Sequence, residues 1–217
     1  MQEGIKSLPY KISYPKGKKT NILLSIPHCG TAFPEEIISH YNASKISQPD
    51  DTDWYLEQLY DFANELGITV IEAIYSRWVI DLNRTPQNKS LYDDGRIITS
   101  LCPVTDFKGE PLYTSIDHEP TQEEIQRRLQ TYYQPYHVKI DLILDDLKNE
   151  FGTVLFWDAH SIRRNVSTIQ KDDFPDLILG NNDGKTASSK IIKNALESLQ
   201  ESNLSLEHNH PFKGGFL

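Results

Sequence analysis

Short apolar runs that alternate with helical patterns constrain this chain more than any other feature, because they call for a sheet buried between helices. Residues 21–27 (NILLSIP), 68–73 (ITVIEA), 78–82 (WVIDL) and 153–157 (TVLFW) are apolar stretches of strand length bounded by turn formers. Two weaker stretches, 176–179 (DLIL) and 204–207, read the same way. Leu56, Leu59, Tyr60, Ala63 and Leu66 recur at helical spacing behind Asp51 and Asp53, and Gly67 supplies a stop. Thr121 and Glu124 form a capping-box pattern ahead of a long helix with an apolar face of Ile125, Leu129, Tyr132, Tyr136, Ile140, Ile143 and Leu147. Pro135 lacks the amide hydrogen that a helix interior needs, so it is expected to kink that helix or split it in two. Residues 185–199 give a further helix. The expected fold is therefore α/β, a three-layer sandwich with a mostly parallel or mixed central sheet, spanning 1–217 as a single domain. The stretch 83–120, rich in Gly, Pro, Asp and Thr, reads as a long irregular excursion of the kind that commonly carries function.

Lysine and arginine total 22 against 31 aspartates and glutamates, a formal charge of −9. Such a chain repels phosphate backbones and anionic membranes, which argues against nucleic-acid and membrane partners. A pocket that carries local arginines can still take a small acidic substrate. Cys29 and Cys102 are too few for a disulfide framework. Residues 1–20 contain no apolar leader and no run reaches bilayer length, so a soluble cytoplasmic protein is expected.

His28 and His160 each sit just past the carboxyl end of an apolar run. Ligands of open α/β sheets bind beyond those strand ends, so the two imidazoles are expected to approach one another. With a carboxylate from Asp51 or Asp53 they would make two nitrogens and an oxygen, leaving a fourth position to water, as catalytic zinc sites do. The structural alternative is a pair of hydrogen-bonded strand-end histidines, with the aspartates serving a helix start. Cys29 follows His28 in extended chain and should point away from it, so a thiol–imidazole pair is not expected. Ser25 and Ser161 lie in no nucleophile-elbow sequence. Arg77 and Arg84 bracket residues 78–82, and either guanidinium fork could hold a carboxylate.

Six stretches occur in a fixed order: 25–30 (SIPHCG), 51–54 (DTDW), 76–84 (SRWVIDLNR), 109–113 (GEPLY), 157–161 (WDAHS) and 212–216 (FKGGF). Together they make the chain, from about residue 22 onward, similar to the N-formylglutamate amidohydrolase family. The resemblance implies a zinc-hydrolase α/β fold like that of the metallocarboxypeptidases and the zinc amidases of cell-wall peptides. It implies Zn2+, or another divalent metal, on His28, Asp51 and His160, with Asp53 as the alternative carboxylate. The implied reaction is hydrolysis of N-formyl-L-glutamate to formate and L-glutamate in histidine degradation, with zinc activating the attacking water. Asp158 would act beside the metal by orienting an imidazole. Arg84, or Arg77 as second candidate, would grip the substrate carboxylates with support from Asn83, and Lys213, Gly214 and Gly215 would line the substrate site. The family continues past the Lys-Gly-Gly motif, and related zinc hydrolases carry a catalytic glutamate there, so the general base is expected beyond Leu217. A zinc amidase or peptidase acting on another acyl amino acid, and an inactive binder of acidic ligands, are the alternative readings.

Overall fold

The computed structural model describes residues 8–87 and 100–214. Among these, 8–87 with 100–162 form one compact unit and 163–214 a second. The first unit is organised by strands β1 (Tyr10–Ser13), β2 (Ile22–Ile26), β3 (Thr69–Ala73) and β4 (Leu155–Asp158), in the sheet order β1-β3-β2-β4. β3 and β4 both run parallel to β2, while β1 pairs antiparallel with β3. With partners on both edges, β2 lies inside the sheet, which explains its nearly continuous apolar sequence.

Alternation along the strands assigns the faces. Helices α1 (Glu35–Ile38), α2 (Ala43–Ile46), α3 (Leu56–Leu59), α4 (Gln122–Arg128) and α5 (Gln134–Phe151) complete the unit. Leu23 and Ile71 pack with Tyr136, Ile140, Ile143 and Leu147 of α5. Leu24, Ile26 and Val70 pack instead with Leu56 of α3 and with Ala63. The sheet is therefore covered on both faces, as the apolar runs required.

Two local expectations need correction. Residues 78–82 are buried but form turns rather than a strand. A short buried apolar run is compatible with either state, and here the backbone is bent so that the Asp81 carboxylate can meet several partners. Residues 56–66 are helical only over α3: Tyr55 enters it in the left-handed region at φ 67°, and Leu59 and Leu66 are 62% and 61% exposed. The long helix is split in two, one of the outcomes expected of Pro135. Leu129–Tyr133 winds as a π-helix between α4 and α5, directly ahead of Pro135. The widened turn is where the hydrogen-bond ladder absorbs the donor that proline lacks. The expected cap is present, with Thr121 Oγ1 accepting from the Glu124 amide at 3.3 Å.

The Glu124 carboxylate does not turn back to complete the capping box. It accepts from Arg127 Nε and Nη2 and from Arg128 Nε, all at 2.7–2.8 Å. Partial burial opposes its charge, but the two guanidiniums prevail and hold its pKa at about 2. A depressed carboxylate stabilises the fold above its ordinary value near 4.5 and loses that contribution as pH falls toward 2. Glu124→Gln is accordingly expected to cost on the order of 2 kcal/mol at pH 7. The gap to wild type should close between pH 4.5 and about 2, as read from urea denaturation across that range.

The second unit pairs β5 (Leu177–Leu179) in parallel with β6 (Leu206–His208) and carries α6 (Ser189–Gln200). Ser188 Oγ caps α6 by accepting from the Ile191 amide. Among the described residues of both units, no helix is long and apolar enough to cross a membrane.

Candidate metal centre

The pairing of β2 with β4 sets Ser25 opposite Asp158. His28 follows Ser25 by three residues and His160 follows Asp158 by two, so both imidazoles emerge at the carboxyl edge of adjacent parallel strands. Their ring centroids stand 5.0 Å apart. The Asp53 amide donates to the His28 carbonyl at 3.0 Å, which ties the aspartate segment to the same edge. His28, Asp53 and His160 consequently bring one nitrogen, one oxygen and one nitrogen within 4.8 Å of one another.

Each imidazole is held from behind. His28 Nε2 donates to Asp81 Oδ1 at 2.7 Å, and His160 Nε2 donates to Asp158 Oδ2 at 2.8 Å. These bonds keep a proton on each Nε2, directed at a carboxylate, and turn both Nδ1 atoms toward Asp53 Oδ2, at 3.7 Å from His28 and 2.9 Å from His160. Donors on a tetrahedral zinc at about 2.0–2.1 Å would stand about 3.3 Å apart, so the two distances bracket the required spacing. His28 Nδ1 is buried without a hydrogen-bond partner, an arrangement that costs free energy unless something takes its lone pair. The donor set, the spacing and this orphaned nitrogen fit a divalent ion. Carboxylates behind metal-binding imidazoles are the usual means of fixing tautomer and ring angle.

Opposite charges draw these groups together. Burial works against ionised Asp53, but the two histidines overcome it and hold its carboxyl well below the usual range. Burial likewise opposes a charged His160, and Asp158 and Asp53 together push its pKa up to about 10. Asp81 is buried as well, yet Arg77 and then His28 keep it strongly acidic. Arg77 Nη2 donates to Asp81 Oδ2 at 2.7 Å and Nη1 lies 3.8 Å from Asp53 Oδ1, so one guanidinium neutralises both carboxylates. Arg77 also lies over the Phe107 ring, 4.9 Å from its centroid.

The carboxylate brought to the two imidazoles is that of Asp53 rather than Asp51. Asp51 accepts from Trp78 Nε1 at 2.8 Å and from the Phe107 amide at 3.1 and 3.2 Å. Its burial raises its pKa, and these donors offset only part of that. Two residues apart on the same turn, the aspartates diverge: one clamps a tryptophan and a loop, the other faces the histidines. Asn83 Nδ2 lies 3.0 Å from His160 Nε2, and Arg84 Nε lies 3.7 Å from Asp81 Oδ2. Lys213 and Gly214 belong to the second unit, where Lys213 pairs with Asp183 at 2.6 Å. Gly214, at φ 68°, packs close to Gly180. Gly215 lies outside the described residues. The Cys29 thiol donates to the Ile26 and Ala73 carbonyls, and burial pushes its pKa up to about 12, so it is no nucleophile.

The family model for N-formylglutamate amidohydrolase matches residues 20–217. This chain belongs to the N-formylglutamate amidohydrolase family. The N-formylglutamate deformylase of Pseudomonas putida is 37% identical over 208 residues, covering 95% of this chain and 76% of that relative. The N-formylglutamate deformylase of Pseudomonas aeruginosa is 38% identical over 211 residues, with the same shares covered. Among solved structures, N-formylglutamate amidohydrolase from Ralstonia eutropha JMP134 superposes with a TM-score of 0.79 at 23% identity, covering 96% of this chain and 78% of the other. A gene product of Agrobacterium tumefaciens superposes with a TM-score of 0.72 at 19% identity, covering 95% and 75%. These likenesses agree on a mixed α/β fold.

In this N-formylglutamate amidohydrolase family member, Asp81 is the residue to which the motifs alone assigned no part. It receives His28, Arg77 and the Asn83 amide, the last at 2.9 Å. The signal was present in the sequence: an aspartate inside a buried apolar run must be paired, and arginines stood at both ends of that run.

Proposed function

We propose that this chain hydrolyses N-formyl-L-glutamate to formate and L-glutamate at a divalent-metal centre held by His28, Asp53 and His160. The observation that carries the reading is the pair of Nδ1 atoms turned on one buried carboxylate, with His28 Nδ1 left without a partner. Two imidazoles and a carboxylate favour zinc, and such an ion supplies Lewis acidity toward an amide oxygen and activates water. The support for the substrate is the chain's family membership and its identity to two proteins named N-formylglutamate deformylase. A fold like that of the metallocarboxypeptidases and zinc amidases, a cytoplasmic location and a place in histidine degradation belong to the same proposal.

The protein's own groups divide the work. Asp81 and Asp158 hold the imidazoles in the tautomer that presents Nδ1. Arg77 neutralises Asp53 and Asp81, so it serves the centre rather than the substrate. Arg84 follows Asn83, which meets His160, and is the arginine assigned to a substrate carboxylate.

The test is an assay of purified protein on N-formyl-L-glutamate alongside elemental analysis, with N-acetyl-L-glutamate and N-formyl-L-leucine as comparison substrates. Equimolar formate and glutamate, lost on chelation and restored by zinc, are expected. Full activity in metal-stripped protein would overturn the metal centre. Preference for either comparison substrate would overturn the assigned specificity and favour an amidase of other acyl amino acids.

A further inference from the structure

Serine is out of place in the middle of β2, whose other residues are apolar. Ser25 is 0% exposed, and its hydroxyl must be satisfied there. It lies 2.9 Å from Asp158 Oδ1 and 3.0 Å from the hydroxyl of Tyr136, which is itself fully buried on α5. The carboxylate can only accept, so Ser25 donates to Asp158 and Tyr136 must donate to Ser25. His160 Nε2 then donates to the other oxygen of the same carboxylate. The chain of bonds Tyr136 to Ser25 to Asp158, with His160 on the far side, has a single proton arrangement.

The two carboxylates behind the histidines are not equally secured. Asp81 is fixed by Arg77 and a backbone amide as well as by His28. Asp158 keeps 21% of its side chain open to solvent, and among the described residues its carboxylate is held by Ser25 and His160 alone. Without Ser25 it could rotate toward water and leave the His160 ring unanchored.

We propose that Ser25 and Tyr136 are positioning residues of the metal centre: acting through Asp158, they fix the ring angle and tautomer in which His160 offers Nδ1. The inference rests on the metal-centre reading above and extends it to the interior of the sheet and to helix α5. The π-helical turn at Leu129–Tyr133 ends three residues before Tyr136.

Cobalt(II) titration of the metal-stripped chain, followed by the visible spectrum and by competition with a chromophoric chelator, tests this without reference to turnover. Ser25→Ala is expected to weaken cobalt binding about tenfold or more, and Tyr136→Phe about threefold, both with an altered cobalt band. Tyr132→Phe is the control: its hydroxyl bonds Glu36 of α1 at 2.6 Å and none of the residues of the centre, so cobalt affinity should stay at the wild-type value. Thermal melts of the metal-free proteins report folding, and if Ser25→Ala fails to fold, the near-isosteric Tyr136→Phe decides. Wild-type affinity in both variants, or an equal loss in Tyr132→Phe, would overturn this inference and leave the metal centre standing. Wild-type protein that takes up no cobalt would overturn the metal centre and this inference together.

Discussion

Asp53→Ala is expected to empty the centre of metal and to lower hydrolysis of N-formylglutamate by about a thousandfold, whereas Asp51→Ala is expected to keep its metal. The first figure follows from losing several kcal/mol of transition-state stabilisation at about 1.4 kcal/mol per factor of ten. Asp53 Oδ2 is the oxygen that faces both Nδ1 atoms, and it also accepts from the Ser161 amide at 3.2 Å. Its removal leaves two imidazoles with no shared anion and Arg77 with one carboxylate fewer. Asp51→Ala has a different cost. Trp78 Nε1 and the Phe107 amide lose their acceptor, which should lower stability by about 1–3 kcal/mol. Elemental analysis of the two proteins, with urea denaturation of each, separates the roles. Loss of metal in Asp51→Ala with retention in Asp53→Ala would reverse the assignment.

Arg128→Met should be the most destabilising single change in the first unit. The side chain is 0% exposed, and its Nη1 donates to the Tyr41 hydroxyl, the Tyr113 hydroxyl and the Val79 carbonyl, each at 3.0 Å. Nε donates to Glu124. Methionine fills much of the space but leaves those buried acceptors without their donor and leaves Glu124 with only one of its two guanidiniums, at about 3–5 kcal/mol. That is a large fraction of the roughly 5–15 kcal/mol that holds a typical domain together. Arg128→Lys should rescue little, because an ammonium cannot reach all four groups from one planar fork. The urea midpoint reads the effect directly, and a midpoint within error of wild type for Arg128→Met would refute it.

The strands that frame the centre were legible because burial on both faces writes itself into sequence as apolar runs, as in residues 21–27 and 153–157. The approach of His28 to His160 followed from placing each at a strand end. What the runs could not convey was the conformation at 78–82, since a buried turn and a buried strand demand the same side chains. Nor could spacing separate Asp51 from Asp53, because that choice depends on where Trp78 lies, a contact across 27 residues. The short extent of α3 was hidden for a related reason. Leu59 and Leu66 keep helical spacing yet face solvent, and only tertiary packing reveals that Leu56 and Ala63 are the residues in use. Tyr136 was legible as a core position but not as a donor, since its hydroxyl finds Ser25 only after the helix docks.

The adjacency of β2 and β4 also bears on when the centre comes into being during folding. Ser25 and Asp158 pair across 133 residues, so the edge that carries both His28 and His160 exists only once that span has closed. Bringing ends together over such a span carries a loop-closure cost that local contacts cannot offset in advance. An ion held as proposed by His28, Asp53 and His160, with no comparable site on the open chain, would draw the population toward the closed sheet by mass action. Metal supply would then govern how much of this chain persists folded in addition to how much of it turns over substrate.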